Sequence, residues 1–165
     1  MRDRGDTRTL AGVKEKTMAK YVTDEVRKQI GMTGEPRTVE IERGAMRRFA
    51  EAIGDTSPIF NDEKEARKTR FGGMIAMPTS FRSLGTAVPE VKLNMPQYRG
   101  LDGGSDWEYF EPVRHGDRIT VQSKLADLRE SEGRLGTMVF ITVETSYTNQ
   151  HGVVCAIQRS TGIRY

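Results

Sequence analysis

The chain has 165 residues, enough for one domain with its own hydrophobic core, and its single cysteine, Cys155, has no partner within the chain, so no disulfide framework is available. Lys and Arg number 26 against 23 Asp and Glu; residues 1–28 hold 8 against 5, which leaves 18 against 18 elsewhere, so the net charge of +3 sits in the leading arm. That small excess, with no basic stripe interleaved with aromatics, argues against a nucleic-acid partner, and the lack of an 18-residue apolar run or an apolar leader points to a cytoplasmic protein.

In chain order, residues 1–21 are polar and weakly patterned and are expected to form a flexible arm, with a single domain over 22–165. Thr23 followed by Asp24 and Glu25 opens a short helix that Gly31 closes. After Pro36, RTVEIE alternates as a half-buried strand would, with Val39 and Ile41 on one face. Met46, Phe49, Ala50 and Ile53 then recur at helical spacing, with Arg47, Arg48 and Glu51 on the other side and Gly54 as the stop. A rigid Gly-Asp-Thr-Ser-Pro turn carrying Asp55 follows.

Asp62 with Glu65 three residues later reads as a capping box for a short charged helix reaching Thr69. The glycine-rich loop FGGMIAMPTS comes next, and Pro78 sits where a further helix, Thr79 to Val88, can begin. Residues from there to Gly104 read as loop. The last third holds strand-like runs, DWEYFEPV, RITVQSKLADL, GTMVFITVETSYTN and VVCAIQRSTGIRY, divided by turns at 115–117, 132–134 and 149–152. Short turns between long alternating runs predict an antiparallel meander, and late strands with early helices argue for an α+β class.

The candidate chemistry is sparse. His115 and His151 both lie beside glycines in predicted turns, without metal-ligand spacing, and read as turn residues. No GxSxG, GxGxxG or Walker pattern is present. Cys155, within VVCAI, reads as a buried core thiol. Asp55 is either a turn residue bonding its own backbone, which the residues alone favour, or a catalytic carboxylate. Gly72 and Gly73 either turn the chain or let backbone N–H groups approach a developing oxyanion.

Four pieces in this order, VEIERGAMRRFAEAIGDTSPIFNDEKEAR, FGGMIAMPTSF, GGSDWEYFEPVRHGD and ETSYTNQHGVVCAIQRST, resemble the MaoC-like dehydratase group of hotdog-fold proteins. Within it the chain is most similar to the N-terminal-type domain related to the fatty-acid-synthase dehydratase, and the resemblance runs from about Val22 to the C-terminus. It implies an antiparallel sheet wrapped around a central helix, here Thr79 to Val88, paired into dimers through a continuous sheet. It also implies (R)-specific hydration of a 2-enoyl thioester, or the reverse dehydration, on substrates carried by coenzyme A or acyl carrier protein, with no further cofactor and no metal.

In the catalytic version an Asp and a His five residues later do the proton work. Asp55 matches the first position; the second is Phe60, with Asn61 as its neighbour. A phenyl ring carries no proton and an amide is no general base near neutral pH. The resemblance therefore points to the degenerate chain of a two-subunit enzyme, partnered by a MaoC-like catalytic subunit in a heterodimer. Its expected contribution is the acyl site: Phe60, Met74, Ile75, Met77 and Pro78 as tunnel lining or plain core, Gly72, Gly73 and Thr79 with Asn61 beside it, and Arg114 toward a carrier phosphate or as a simple turn cation. Two other readings stay open. One is a self-sufficient homodimeric hydratase using Asp55 with Asn61, Asp102 or Asp106; the other is a non-catalytic acyl-CoA-binding scaffold module.

Overall fold

The computed structural model describes residues 19–85, 87–95 and 98–165. The polar arm expected over residues 1–21 lies outside these except for its last three. There the backbone N–H groups of Lys20, Tyr21 and Val22 all donate to the Glu130 carboxylate, at 2.7, 2.7 and 2.9 Å. No helix among the described residues is long and apolar enough to cross a membrane.

Helix α1, Asp24–Arg27, starts where expected, with the Thr23 hydroxyl accepting from the Val26 N–H. It ends before Ile30 because the backbone is claimed elsewhere. The Gly31 N–H donates to the Leu125 carbonyl, the Leu125 N–H to Met32 and the Gly34 N–H to Ser123, which lays the segment along a strand. These non-local bonds replace the helical ones.

Five strands follow: β1 Arg37–Glu40, β2 Gly100–Tyr109, β3 Arg118–Gly133, β4 Gly136–Thr148 and β5 Val154–Arg164. All pairings are antiparallel and the sheet order is β1-β3-β4-β5-β2. The expected meander thus holds for β3 to β5 only. β2 crosses to the far edge, three strand spacings or about 14 Å away, a distance that residues 110–117 span with ease.

Strand β2 also differs in its bounds from the sequence reading. It begins at Gly100 in the stretch read as loop and stops at Tyr109 rather than Val113. A bulge between Asp102 and Ser105 explains the misreading. It breaks the alternation, and a Cβ on Gly103 would meet the Thr161 carbonyl oxygen at 2.8 Å, so only glycine lets β2 approach β5 this closely.

Along β4, Val139, Ile141, Val143, Thr145 and Tyr147 alternate into the interior. They pack in two clusters, one around Tyr147, Ile119 and Val121 and one around Leu125, Leu128 and Val139. The element the sheet wraps is shorter than expected: a 3-10 helix, Pro78–Leu84, in place of a helix running to Val88. The hydroxyls of Ser80 and Ser83 donate to the carbonyls of Met77 and Ser80, both at 2.6 Å, and Gly85 turns away at φ 71°. Such side-chain bonds compete with the α-helical ladder. Thr86 lies outside the described residues, and Val88 is exposed.

The 3-10 helix is anchored by Phe81, whose ring meets Tyr147 edge-on at 5.2 Å and Tyr109 at 5.9 Å. Burying such a side chain contributes about 1.5–3 kcal/mol. Cys155 is buried as expected, and burial pushes its thiol pKa up, which keeps it protonated and inert.

Glu130 provides a test of how the N-terminal segment is held. Burial raises its pKa, but the N–H bonds from Val22, Lys20 and Tyr21 outweigh this and hold it below the ordinary glutamate range. A depressed folded pKa means stabilisation that is present above the unfolded value, about 4.3, and is lost as pH falls through the folded one. The protection of the Tyr21 and Val22 amides, their exchange relative to an unstructured peptide at the same pH, should therefore fall below about pH 4. Glu130→Ala should show the same fast exchange at neutral pH; equal protection in both proteins would mean that the carboxylate does not hold this segment.

Candidate functional site

Helix α2, Arg43–Ala52, buries Met46 and Ala50 and leaves Ile53 exposed. Gly54 takes φ 72° and the Asp55 N–H returns to the Ala50 carbonyl at 3.0 Å, which caps the helix and delivers Asp55 into the turn. Its Oδ1 accepts the Ser57 N–H at 2.8 Å. Pro58 then occupies the first position of a one-turn helix, α3, Pro58–Asn61. The Asn61 side-chain amide donates back to the carbonyls of Asp55 (2.9 Å) and Ser57 (3.1 Å). The turn is therefore clasped from both ends by its own polar side chains. Phe60, half-buried, lies between them in sequence and supplies no polar atom.

Asp62 caps α4, Glu63–Ala66, by accepting the N–H groups of Lys64 and Glu65, so the capping role holds while the helix stops short of Thr69. Glu63 is the residue the sequence reading missed. It accepts from Arg67 Nε at 2.8 Å, lies 3.5 Å from Arg43 Nη2 and accepts the Met74 N–H at 3.2 Å. The Arg67 guanidinium, then the Met74 amide and Arg43, hold its carboxyl below the ordinary range against the opposing effect of burial. The signal in the sequence was the Glu63–Arg67 spacing of four, which foretells a helical pair but not the third partner.

The glycine loop is stitched to both neighbours. The Ile75 N–H donates to the Ile59 carbonyl at 3.1 Å and the Ala76 N–H to Val113 at 2.7 Å. The structure thus brings the Asp55 turn and the loop together, yet the N–H groups of Met74, Ile75 and Ala76 point to protein partners and are not available to an oxyanion. Gly72 takes φ 67°, and Gly73 is buried where an added Cβ would meet the Glu63 carboxylate at 3.4 Å. Met74, Ile75 and Met77 are buried, and Met74 belongs to the core cluster. Pro78 is half-buried and Thr79 exposed at the start of the 3-10 helix.

Arg114 is committed too. Its guanidinium donates to the Phe71 carbonyl and its N–H to Asp117 Oδ2, so it positions the loop. Asp102 pairs with Arg82 at 3.3 Å, and neither Asp102 nor Asp106 bonds Asp55. His115 and His151 are exposed in turns.

A polar chain that no motif announced runs from the interior to the surface. The Tyr147 hydroxyl donates to Gln158 (3.4 Å), Gln158 Nε2 to Ser105 (3.2 Å), and Arg82 reaches both Ser105 (3.4 Å) and Asp102. Burial pushes the Tyr147 pKa up to about 12, so it remains a neutral donor. Trp107 stacks on Tyr109 at 5.7 Å and on Tyr147 at 5.6 Å, covering the chain with aromatic surface.

The sequence model of the FAS1-like dehydratase domain region matches residues 28–158. A UPF0336 protein of Streptomyces avermitilis is 33% identical over 99 residues, which are 57% of this chain and 66% of the relative. A probable enoyl-CoA hydratase alpha subunit of Thermomonospora curvata is 30% identical over 157 residues, covering 82% of this chain but only 49% of that protein, so this chain spans about half its length. Among solved structures, the MaoC-like dehydratase of Rhodospirillum rubrum superposes with a TM-score of 0.67 at 21% identity, over 81% of this chain and 90% of that one. The ChsH1-ChsH2 complex of Mycobacterium tuberculosis gives 0.67 at 15%, over 84% and 86%.

The clasp in the Asp55 turn has a measurable weight. Asn61→Ala removes two side-chain bonds to carbonyls, each worth about 1 kcal/mol net, and should lower the unfolding free energy by about 1–2 kcal/mol. Denaturant titration reads this directly; an unchanged midpoint would mean that the turn is held by Pro58 and the Gly54 cap alone.

Proposed function

The chain belongs to the FAS1-like dehydratase family, a MaoC-like group of hotdog proteins, and on that premise we propose that it is the substrate-accommodating subunit of a two-chain (R)-specific 2-enoyl thioester hydratase or 3-hydroxyacyl thioester dehydratase. The observation that carries this reading is the filling of the site by its own bonds. Asp55 holds the Ser57 amide, Asn61 holds two carbonyls, and Phe60 stands where the family places its histidine.

Hydration forms a bond from water oxygen to C3 of the enoyl group, places a proton on C2 and accumulates enolate charge on the thioester oxygen between the two events. A base must take a proton from the water, an acid must deliver one to C2, and N–H donors must face the oxygen. Of these groups Asp55 stands at the expected place, and one carboxylate with no imidazole beside it leaves the second proton transfer without a carrier. The loop amides of Met74, Ile75 and Ala76 are bonded inward. The addition of water is redox-neutral and needs no cofactor beyond the carrier of the acyl group.

In this reading a partner chain with the Asp and His supplies the proton transfers, while this chain supplies wall and fold. The half-buried Phe60 and Pro78 are its candidates for contact with the acyl chain, and the buried Met74, Ile75 and Met77 support that wall from behind. The relative named above as an alpha subunit, and the structural neighbour that is a two-component complex, support a heteromeric assembly.

Coexpression with a MaoC-like chain bearing the Asp and His, followed by hydration assays on short and long 2-enoyl-CoA, tests the proposal. Activity is expected in the mixture and not in the isolated chain, and Asp55→Asn should leave kcat of the assembled enzyme within about tenfold. A hundredfold loss, about 2.7 kcal/mol of transition-state stabilisation, would return Asp55 to the catalytic machinery.

A further inference from the structure

Alternation along β4 turns Val139, Ile141 and Val143 inward, and so turns Phe140 to the outer face of the sheet. The register extends that side into a row. Arg129 of β3 lies opposite Phe140, Phe140 opposite Ile163 of β5, and Ile163 opposite Leu101 of β2. Two residues nearer the end of the sheet, Arg99 and Tyr165 exchange both backbone bonds, at 2.8 and 3.1 Å. Tyr98, Arg99, Tyr165 and Leu135, at the tip of the β3–β4 hairpin, line an open cleft of about 450 Å³ there.

Two kinds of side chain meet at this corner. Leu101, Tyr98 and Leu135 are 49, 52 and 58% exposed, an apolar surface that water covers at a cost. Around them stand Arg99, Arg129, Arg134 and Arg164. The Arg129 guanidinium lies 4.1 Å from the centre of the Phe140 ring and that of Arg164 4.5 Å from the centre of the Tyr98 ring. Among the described residues none of these four arginines makes an ion pair. The acids at this end are engaged elsewhere: Glu132 accepts from the Thr137 hydroxyl, and Asp102 pairs with Arg82. Four residues along β4 the same outer face is balanced, with Lys124 and Arg159 both bonded to Glu144. The cationic excess is therefore local.

We propose that this corner docks on an anionic lipid surface, with the four arginines among the headgroups and Leu101, Leu135 and Tyr98 at the boundary with the hydrocarbon. Arginine stems lie along apolar surface while their guanidinium groups stay among polar ones, and tyrosine favours the headgroup level. A leucine beside an arginine on a hairpin tip has the same division of character, and leaves water when the tip enters the boundary. Each cation near such a surface adds to the attraction. A single-stranded nucleic acid would use the same cations but offers nothing to Leu101 and Leu135, and the Phe140 and Tyr98 rings on which bases would stack already carry guanidinium groups. An interfacial site of this kind needs no spanning helix. It is independent of the proposed reaction, since none of its residues belongs to the Asp55 turn or the glycine loop.

Cosedimentation of the full chain with phosphatidylcholine vesicles containing about 30% phosphatidylserine, and with vesicles of phosphatidylcholine alone, reads the binding at about 0.1 M salt. The anionic vesicles should bind at least tenfold more tightly and release the protein as salt rises. Arg99→Gln with Arg134→Gln should weaken binding to them at least tenfold, and Leu135→Ser severalfold. Arg47→Gln with Arg48→Gln removes the same charge from the exposed side of α2 and should bind as the wild type does. If circular dichroism shows the first double variant unfolded, Arg134→Gln alone serves, because its side chain bonds nothing among the described residues. Binding to neither vesicle, equal binding to both, or equal losses from the two double variants overturns the proposal. So does tighter binding of a single-stranded oligonucleotide of about twenty residues than of the vesicles, which would assign the corner to nucleic acid.

Discussion

The stretch from Gly73 to Met77 is buried residue after residue, and none of its side chains can bond its own backbone. Buried N–H groups must be met somewhere, so three distant elements are required at defined positions around this segment. Glu63 of α4 accepts from Met74, the Ile59 carbonyl of α3 from Ile75, and the Val113 carbonyl beyond β2 from Ala76. The placement of the Asp55 turn, the short helices and the crossover to β3 all follow from serving these donors. So does the entry point of the 3-10 helix, because the chain leaves the segment directly into Pro78.

This constraint also shapes what the site can do. A glycine loop before a helix is a ready anion cradle only while its N–H groups point outward. Here those of Met74, Ile75 and Ala76 point inward, and Arg114, the nearby cation, is turned onto the Phe71 carbonyl. The Asp55 turn behaves alike, with its carboxylate and the Asn61 amide closing hydrogen bonds within seven residues. The architecture of a dehydratase is present, while the polar groups near its expected centre are spent on holding that architecture.

Much of the fold was legible because it rests on local patterns. The alternation in β3 to β5 announced three long strands, the 3.6-residue spacing of Met46, Phe49 and Ala50 announced α2, and Thr23 and Asp62 acted as the caps they resemble. Errors fell where non-local bonds overrode local preference. Helix α1 was cut short by bonds to β3, the central helix by serine hydroxyls and Gly85, and the start of β2 was hidden by a bulge at two glycines. That the position five residues after Asp55 holds Phe60, a side chain with no ionisable group, was readable from order alone, since it concerns residue identity at a fixed spacing.

The sequence by itself determined strands β3 to β5, the caps, the buried thiol and the absence of an ionisable side chain at Phe60, because each depends on residue type within a few positions. Only the tertiary structure decided that β2 lies beside β5, that Glu63 holds the glycine loop, and that Arg129, Phe140, Ile163 and Leu101 form one row. Those facts join residues separated by 11 to more than 50 positions. Pairing at that range is set by which buried donors and charges must be satisfied together, a condition that exists only once the chain is folded.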